Sequence, residues 1–185
     1  MLSPLLGPIN SFAVNASLGR ITKALKSQLS ILVLLSSVIA LSFVMSYAAS
    51  HLVDLPVTSQ ILDRGQASTI DIGIAFTLGC AGGLALFAAI PETLIGVAVA
   101  VALLPPGAVS GIGLAIGKLE LFWGALILTF VNLLGLQLGG TLILKIKGVS
   151  PRRYYQRAEA KRESFYSILV LLALLIILAL LIILP

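Results

Sequence analysis

Charged residues are so sparse in this chain that they leave six uncharged runs, and the lengths of those runs decide most of what it can fold into. The runs are Met1–Gly19, Ser27–Val53, Ile72–Pro91, Thr93–Gly117, Leu121–Leu144 and Ser164–Pro185. An α-helix needs about 20 residues to cross a hydrocarbon core. A transmembrane β-barrel would read instead as alternating segments of about ten residues, and no run alternates. A soluble domain is about one quarter charged, whereas this chain is 10% charged and 59% hydrophobic, which excludes a soluble fold. With Cys80 as its single cysteine, it cannot be a disulfide scaffold either. The expected fold is all-α, a polytopic transmembrane helical bundle of about six membrane segments, two of them proline-broken.

Orientation follows from the basic residues, because Lys and Arg accumulate in cytoplasmic loops. If all six segments cross, one side collects Arg20, Lys23, Lys26, Lys145, Lys147, Arg152, Arg153, Arg157, Lys161 and Arg162, and the other receives only Arg64 and Lys118. Were Thr93–Gly117 re-entrant, the bias would reverse, so it is read as a crossing and the loops 20–26 and 145–163 as cytoplasmic. Met1–Gly19 is the weakest span, interrupted by Pro4, Gly7 and Pro8. No cleavable signal peptide is expected, for the first residues carry no basic stretch. Three regions result: a core over 1–148 with broken helices at 1–19 and 93–117, a basic cytoplasmic helix or linker over 149–163, and a C-terminal transmembrane helix over 164–185. Ser150-Pro151 is a good helix start, placing Tyr154 and Tyr155 near the headgroups. The 145–163 loop is expected to attract anionic lipid headgroups; nothing in it points to nucleic acid.

Thirteen of the 17 glycines lie between Gly73 and Gly140. Four pairs stand at i, i+4: Gly79/Gly83, Gly107/Gly111, Gly113/Gly117 and Gly135/Gly139. Small residues let membrane helices approach closely, so the third, fourth and fifth segments are expected to form a close-packed centre. The last run, nearly all Leu, Ile and Val, reads as a peripheral helix facing lipid or as a smooth contact to a neighbouring subunit. Pro105-Pro106-Gly107 removes two backbone donors at mid-depth, and Pro4 to Pro8 repeats the pattern. Freed backbone groups are tolerated there only if protein or a wet cavity satisfies them. Each proline region leads to a Gly-basic pair, Gly19-Arg20 or Gly117-Lys118, and then to a long span, with the two pairs on opposite sides. Broken helices in oppositely oriented halves are the pattern of inverted-repeat transporters.

These residues also carry a family resemblance. The opening Met1-Leu2-Ser3-Pro4-Leu5-Leu6-Gly7-Pro8-Ile9, then Arg64 and Asp71 ahead of Gly79-Cys80-Ala81-Gly82, the stretch Gly96 to Pro106, Val109 to Ala115, and Asn132 together resemble the prokaryotic uncharacterised hydrophobic domain family, domain of unknown function family 389, over about residues 1–148. The resemblance implies a multi-pass protein of a prokaryotic inner or plasma membrane and no settled activity. Family members usually carry a further hydrophobic segment before the Met-Leu-x-Pro motif, so this chain is either a shortened member or begins inside a longer one.

The chemistry available is limited. His51 is the lone histidine, expected at the outer interface, and Cys80 lies inside a span, so neither a metal-ligand set nor a Cys/His pair is expected. No enzyme activity, cofactor or metal is expected. Asp71 and Glu92 stand near helix starts, where a carboxylate is favoured, and Arg64 is expected to pair with Asp71 to fix the external loop. The mid-depth polar residues are Asn10, Ser11, Asn15, Ser17, Ser110, Thr129, Asn132 and Gln137. Asn132 must find a partner, and an unwound carbonyl beside Pro105 suits it. The sequence therefore points to a transporter or channel for a small neutral solute or ion. Its pathway would be lined by Pro4, Gly7, Pro8, Asn10, Asn15, Pro105, Pro106, Gly107, Ser110 and Asn132. The alternative is a non-transporting oligomeric scaffold or accessory subunit of a larger membrane complex. A homo-oligomer fits both.

Overall fold

The structure is a computed structural model that describes residues 5–52, 57–88, 90, 92–149, 151 and 157–184. They form seven helices and no strand: α1 Leu6–Ser17, α2 Ile21–Ser50, α3 Ser59–Asp63, α4 Thr69–Phe87, α5 Glu92–Ala115, α6 Leu119–Ile146 and α7 Arg157–Ile183. Five of them, α2, α4, α5, α6 and α7, are long and apolar enough to cross a membrane. The first uncharged run yields only the 12-residue α1. At 1.5 Å per residue it is about 18 Å long, little more than half of a hydrocarbon core of about 30 Å.

Contacts divide the bundle into two ends. Gly19 abuts the backbone of Ala160, and the Lys147 ammonium lies 5.7 Å from the Phe87 ring centre. The α1–α2 turn, the C-terminal ends of α4 and α6 and the start of α7 therefore share a basic end. At the far end Gly65 meets Leu121, and Gly113 meets Phe122. Lys118 sits in the adjoining α5–α6 turn.

The centre is one helix rather than three. Every residue from Val131 to Thr141 in α6 is buried, as expected of a helix that is apolar on all sides and surrounded by others. A Cβ at Gly79 would stand 2.8 Å from the Gly135 carbonyl oxygen, and one at Gly83 would stand 3.1 Å from the Gly140 Cα. These glycines bring α4 and α6 into backbone contact. Gly111 instead meets the backbone of α2 at Phe43, with Gly107 one turn earlier beside Val38. α6 thus carries α4 on one face and α5 on another, while α4 and α5 touch little. The fourth glycine pair does not pack as a pair: Gly113 meets the next helix, and Gly117 adopts φ 70° with nothing within 4 Å of its Cβ position.

Gly117 ends α5 in a left-handed cap that matches the one ending α1. Arg20 N–H donates to the Asn15 carbonyl at 2.8 Å and Gly19 N–H to Ala16 at 3.1 Å, while Lys118 donates to Gly113 at 2.9 Å and Gly117 to Leu114 at 3.3 Å. Gly19 has φ 68°. This is the Schellman arrangement, and Gly148 at the end of α6 forms a third. Only the first two are preceded, eleven residues earlier, by a proline, Pro8 or Pro106. They also share a packing pattern, since α1 lies on α2 and α6 while α5 lies on α6 and α2. Gly117→Ala has no steric obstacle, so thermal denaturation of the purified protein in detergent should report only the left-handed penalty, a loss of about 1 kcal/mol. Gly19→Ala should cost more, because its Cβ would lie 2.5 Å from the Ala160 Cα.

The prolines do not break the helices in the expected way. α5 continues through Pro105 and Pro106, and Pro8 lies in the first turn of α1, where amides lack intrahelical partners in any case. Pro4 lies outside the described residues. The basic segment and the last span also merge: α7 begins at Arg157 and runs to Ile183. The expected helix start at Ser150, and Tyr154 and Tyr155, lie outside the described residues. The outward faces of α2 and α7 expose Leu25, Leu29, Val33, Leu172 and Ile176, the surface a peripheral lipid-facing helix presents.

Candidate functional site

Because α6 holds α4 and α5 apart, a space opens between them on the basic side of the bundle. Its volume is about 210 Å³, well above what one water needs and below the 300–1,000 Å³ of sites for drug-sized ligands. Gly79, Gly82 and Gly83 of α4 and Ala98 of α5 form two walls, Gly140 of α6 closes a third, and α1 supplies Ile9, Asn10 and Ala13. The cavity reaches the α4–α5 turn at Ile90. Small residues make the space: larger side chains at Gly82 or Ala98 would fill it. Asn10 is the one polar side chain in the described lining, and no charged residue contributes. Such a chamber can orient a small neutral molecule by one amide and by van der Waals contact.

The expected site residues separate into three groups. Asn10 faces the cavity. Gly7 and Pro8 instead border a shallow surface depression with Ser11, Lys26, Ser27 and Ser30. Beside it Asn15 donates to the Ser11 carbonyl at 2.7 Å and hydroxyl at 3.1 Å, and Ser27 donates to the same hydroxyl at 2.9 Å. Here a short polar ladder fastens α1 to α2.

Pro105, Pro106, Gly107, Ser110 and Asn132 form the third group, which is packed. Pro106 has no N–H to give the Ala102 carbonyl four residues earlier, and Asn132 Nδ2 donates to that carbonyl across the α5–α6 interface at 2.8 Å. Asn132 thus pairs with a carbonyl near the prolines as expected, but that carbonyl belongs to a continuous helix and not to an unwound one. Ser110 Oγ donates to the Pro106 carbonyl at 3.0 Å, and Ser42 Oγ to Ala108 at 2.7 Å. Pro106 and Ser110 are fully buried. This region ties α5 to α2 and α6 rather than lining the cavity.

Asp71 engages Ser68, not Arg64. Its Oδ2 accepts from the Ser68 N–H at 2.8 Å and hydroxyl at 2.9 Å in a capping box that starts α4, satisfying donors at the helix N-terminus. His51 packs edge-on against Tyr47 at the end of α2, away from Cys80 in the middle of α4. Among the described residues no three of His, Cys, Asp or Glu gather.

Two contributions were not anticipated. Gly82 belongs to no i, i+4 pair, yet it lines the cavity; the glycine excess between 73 and 140 and its place in the Gly79-Cys80-Ala81-Gly82 stretch are its signals in the sequence. Gln28 stands near the start of the uncharged run Ser27–Val53, and its Oε1 accepts from Gln137 Nε2 at 2.6 Å.

The family model described as "Domain of unknown function (DUF389)" matches residues 1–138. The chain belongs to that family. The match takes in the whole cavity wall except Gly140, and all five residues of the packed α5–α6 region. It stops two turns before the end of α6, leaving the basic segment and α7 outside. The uncharacterized protein MJ0678 of Methanocaldococcus jannaschii is 33% identical over 174 residues, 94% of this chain and 53% of that protein. The chain therefore spans about half the length of the curated relative it matches. No solved structure matches it. As a DUF389 protein with five helices of spanning length, it is a multi-pass membrane protein.

Proposed function

We propose that this DUF389 protein is a transporter or channel for a small neutral solute or ion, with its binding point in the cavity between α1, α4 and α5. The observation that carries this reading is the cavity itself, about 210 Å³ lined by glycine, alanine and larger aliphatic residues with no charged side chain among the described residues, and with Asn10 of a half-length helix beside it. Among the described residues the lining carries no charge, which disfavours a proton relay and suits a small neutral solute or a weakly coordinated ion. The inverted-repeat reading is supported by the matched caps at Gly19 and Gly117, the prolines eleven residues before them, and the exchanged packing of α1 on α6 and α5 on α2. In this reading Pro105, Pro106 and Asn132 set the course of α5 and do not touch solute. The ten-to-two distribution of basic residues supports an orientation with the basic end in the cytoplasm, where the 145–163 region meets anionic headgroups, and the family supports a prokaryotic plasma membrane.

The test is flux through proteoliposomes of the full chain, assayed against a panel of small neutral solutes and monovalent ions. At least one is expected to cross faster than in protein-free vesicles. Ala98→Leu and Asn10→Leu should each reduce that flux at least tenfold with the melting temperature retained. Flux equal to empty vesicles for the whole panel, or flux indifferent to both variants, would overturn the proposal.

One observation favours a second reading, that of a non-transporting oligomeric scaffold or accessory subunit: the Pro105–Ser110 region is closely packed and hydrogen-bonded. Native mass spectrometry showing a defined homo-oligomer, together with absent flux, would select it.

A further inference from the structure

A second recess lies on another face of α6. Successive residues turn about 100° around a helix, so the Leu134/Gln137 pair is centred about 110° around α6 from the Leu136/Gly140 pair, which faces the cavity. Between them and the first halves of α2 and α7 is a groove of about 300 Å³, at the lower end of small-molecule site volumes. α1 is the partition: Asn10 faces the cavity and Phe12 the groove. The walls are mainly apolar, with Leu25 on α2 and Val170, Leu171 and Leu174 on α7, and Tyr166 and Ser167 add two hydroxyl-bearing side chains on α7.

At its floor are two amides. Gln137 is fully buried, and it lines the groove together with Gln28. Its Nε2 donates to Gln28 Oε1 at 2.6 Å, while its own Oε1 has no partner. Turning both amides over reverses the direction of that bond and still leaves one polar group of Gln137 unmatched. Thr141, one turn further along the same side of α6, is also buried with its hydroxyl unpartnered. A buried amide oxygen surrounded by hydrocarbon is costly unless something bonds to it.

We infer that the groove is a binding site for a neutral, hydroxyl-bearing amphiphile, whose chain lies along the leucines of α2 and α7 and whose hydroxyl bonds to Gln137. A hydroxyl is the matching group because it both donates and accepts, and so satisfies Gln137 with its amide in either orientation. Among the described residues no cation lines the groove, so none of them offers a partner to an anionic headgroup.

The full chain, in phosphatidylcholine nanodiscs, is irradiated with a straight-chain twelve-carbon alcohol carrying a diazirine, or with the matching diazirine alkane. The alcohol should label peptides from 21–28 and 166–174 saturably, and unlabelled dodecanol, but not dodecane, should reduce that labelling at least fivefold. Gln137→Leu should reduce it by a similar factor without lowering the melting temperature, since an unmatched amide is removed. Val170→Trp, at the exposed rim, should block the groove and do the same even if the core variant folds poorly. Equal labelling by alcohol and alkane, competition by dodecane, or labelling unchanged in both variants would overturn the assignment; so would the absence of saturable labelling, as for a groove filled by water or acyl chains.

Discussion

Gly139→Leu is expected to abolish the folded bundle. A Cβ at Gly139 would collide with the Phe76 carbonyl oxygen and would stand 2.6 Å from the Cys80 nitrogen and 2.9 Å from the Gly79 carbonyl carbon. All three are backbone atoms of α4, so no side chain can rotate aside and the whole helix must retreat from α6. Overpacking a well-filled interior typically costs 1–3 kcal/mol, and here the same displacement also separates Gly79 and Gly83 from α6. A loss of about 3 kcal/mol or more is expected. It would be read as a vanished monodisperse peak in size-exclusion chromatography in mild detergent and as loss of cooperative thermal unfolding. Gly73→Ala is the control. It lies in α4, has nothing within 4 Å of its Cβ position, and should leave stability unchanged or raise it by up to about 1 kcal/mol through helix propensity. If Gly139→Leu melted like the parent protein, α4 and α6 would not be in backbone contact.

The glycine pairs made that interface legible, since 79/83 and 135/139 do face each other. The central place of α6 was not legible, because membrane helices that are apolar on every side lack the stripe that points a soluble helix toward its core. Glycine spacing alone could not say that 107/111 serves α2 or that Gly117 is spent on a turn. Arg64 and Asp71 illustrate another limit: opposite charges seven residues apart invited a pairing, while the local Ser68-x-x-Asp71 box was the nearer and better-oriented partner. Pro105 and Pro106 misled for the opposite reason. Their local preference is to end a helix, yet packing against α2 and α6, with Asn132 and Ser110 serving nearby carbonyls, keeps α5 continuous. The cavity was foreseen at the prolines and occurs where glycines and α1 meet, with Asn10 common to both.

The link between Pro106 and Asn132 can be isolated by exchanging one donor for another. Asn132→Leu keeps the approximate volume but leaves the Ala102 carbonyl without its 2.8 Å donor, in a helix where Pro106 cannot replace it. Interhelical hydrogen bonds in membranes are modest, and removing one partner adds the cost of a buried unmatched carbonyl, so a loss of about 1–2 kcal/mol is expected. Pro106→Ala supplies an N–H four residues after Ala102, which is the ordinary helical donor for that carbonyl. In the Pro106→Ala background, Asn132→Leu should therefore cost about 1 kcal/mol less than in the parent chain, a coupling large enough to resolve in a double-mutant cycle. Additive effects would show that the contribution of Asn132 does not depend on the donor that Pro106 lacks. A positive coupling would mean that the proline and the asparagine form one device: the proline removes a backbone donor inside the bundle, and a neighbouring helix restores it, binding α5 to α6 at a chosen depth. A Leu at position 132 could fill the same space but would leave that depth unspecified.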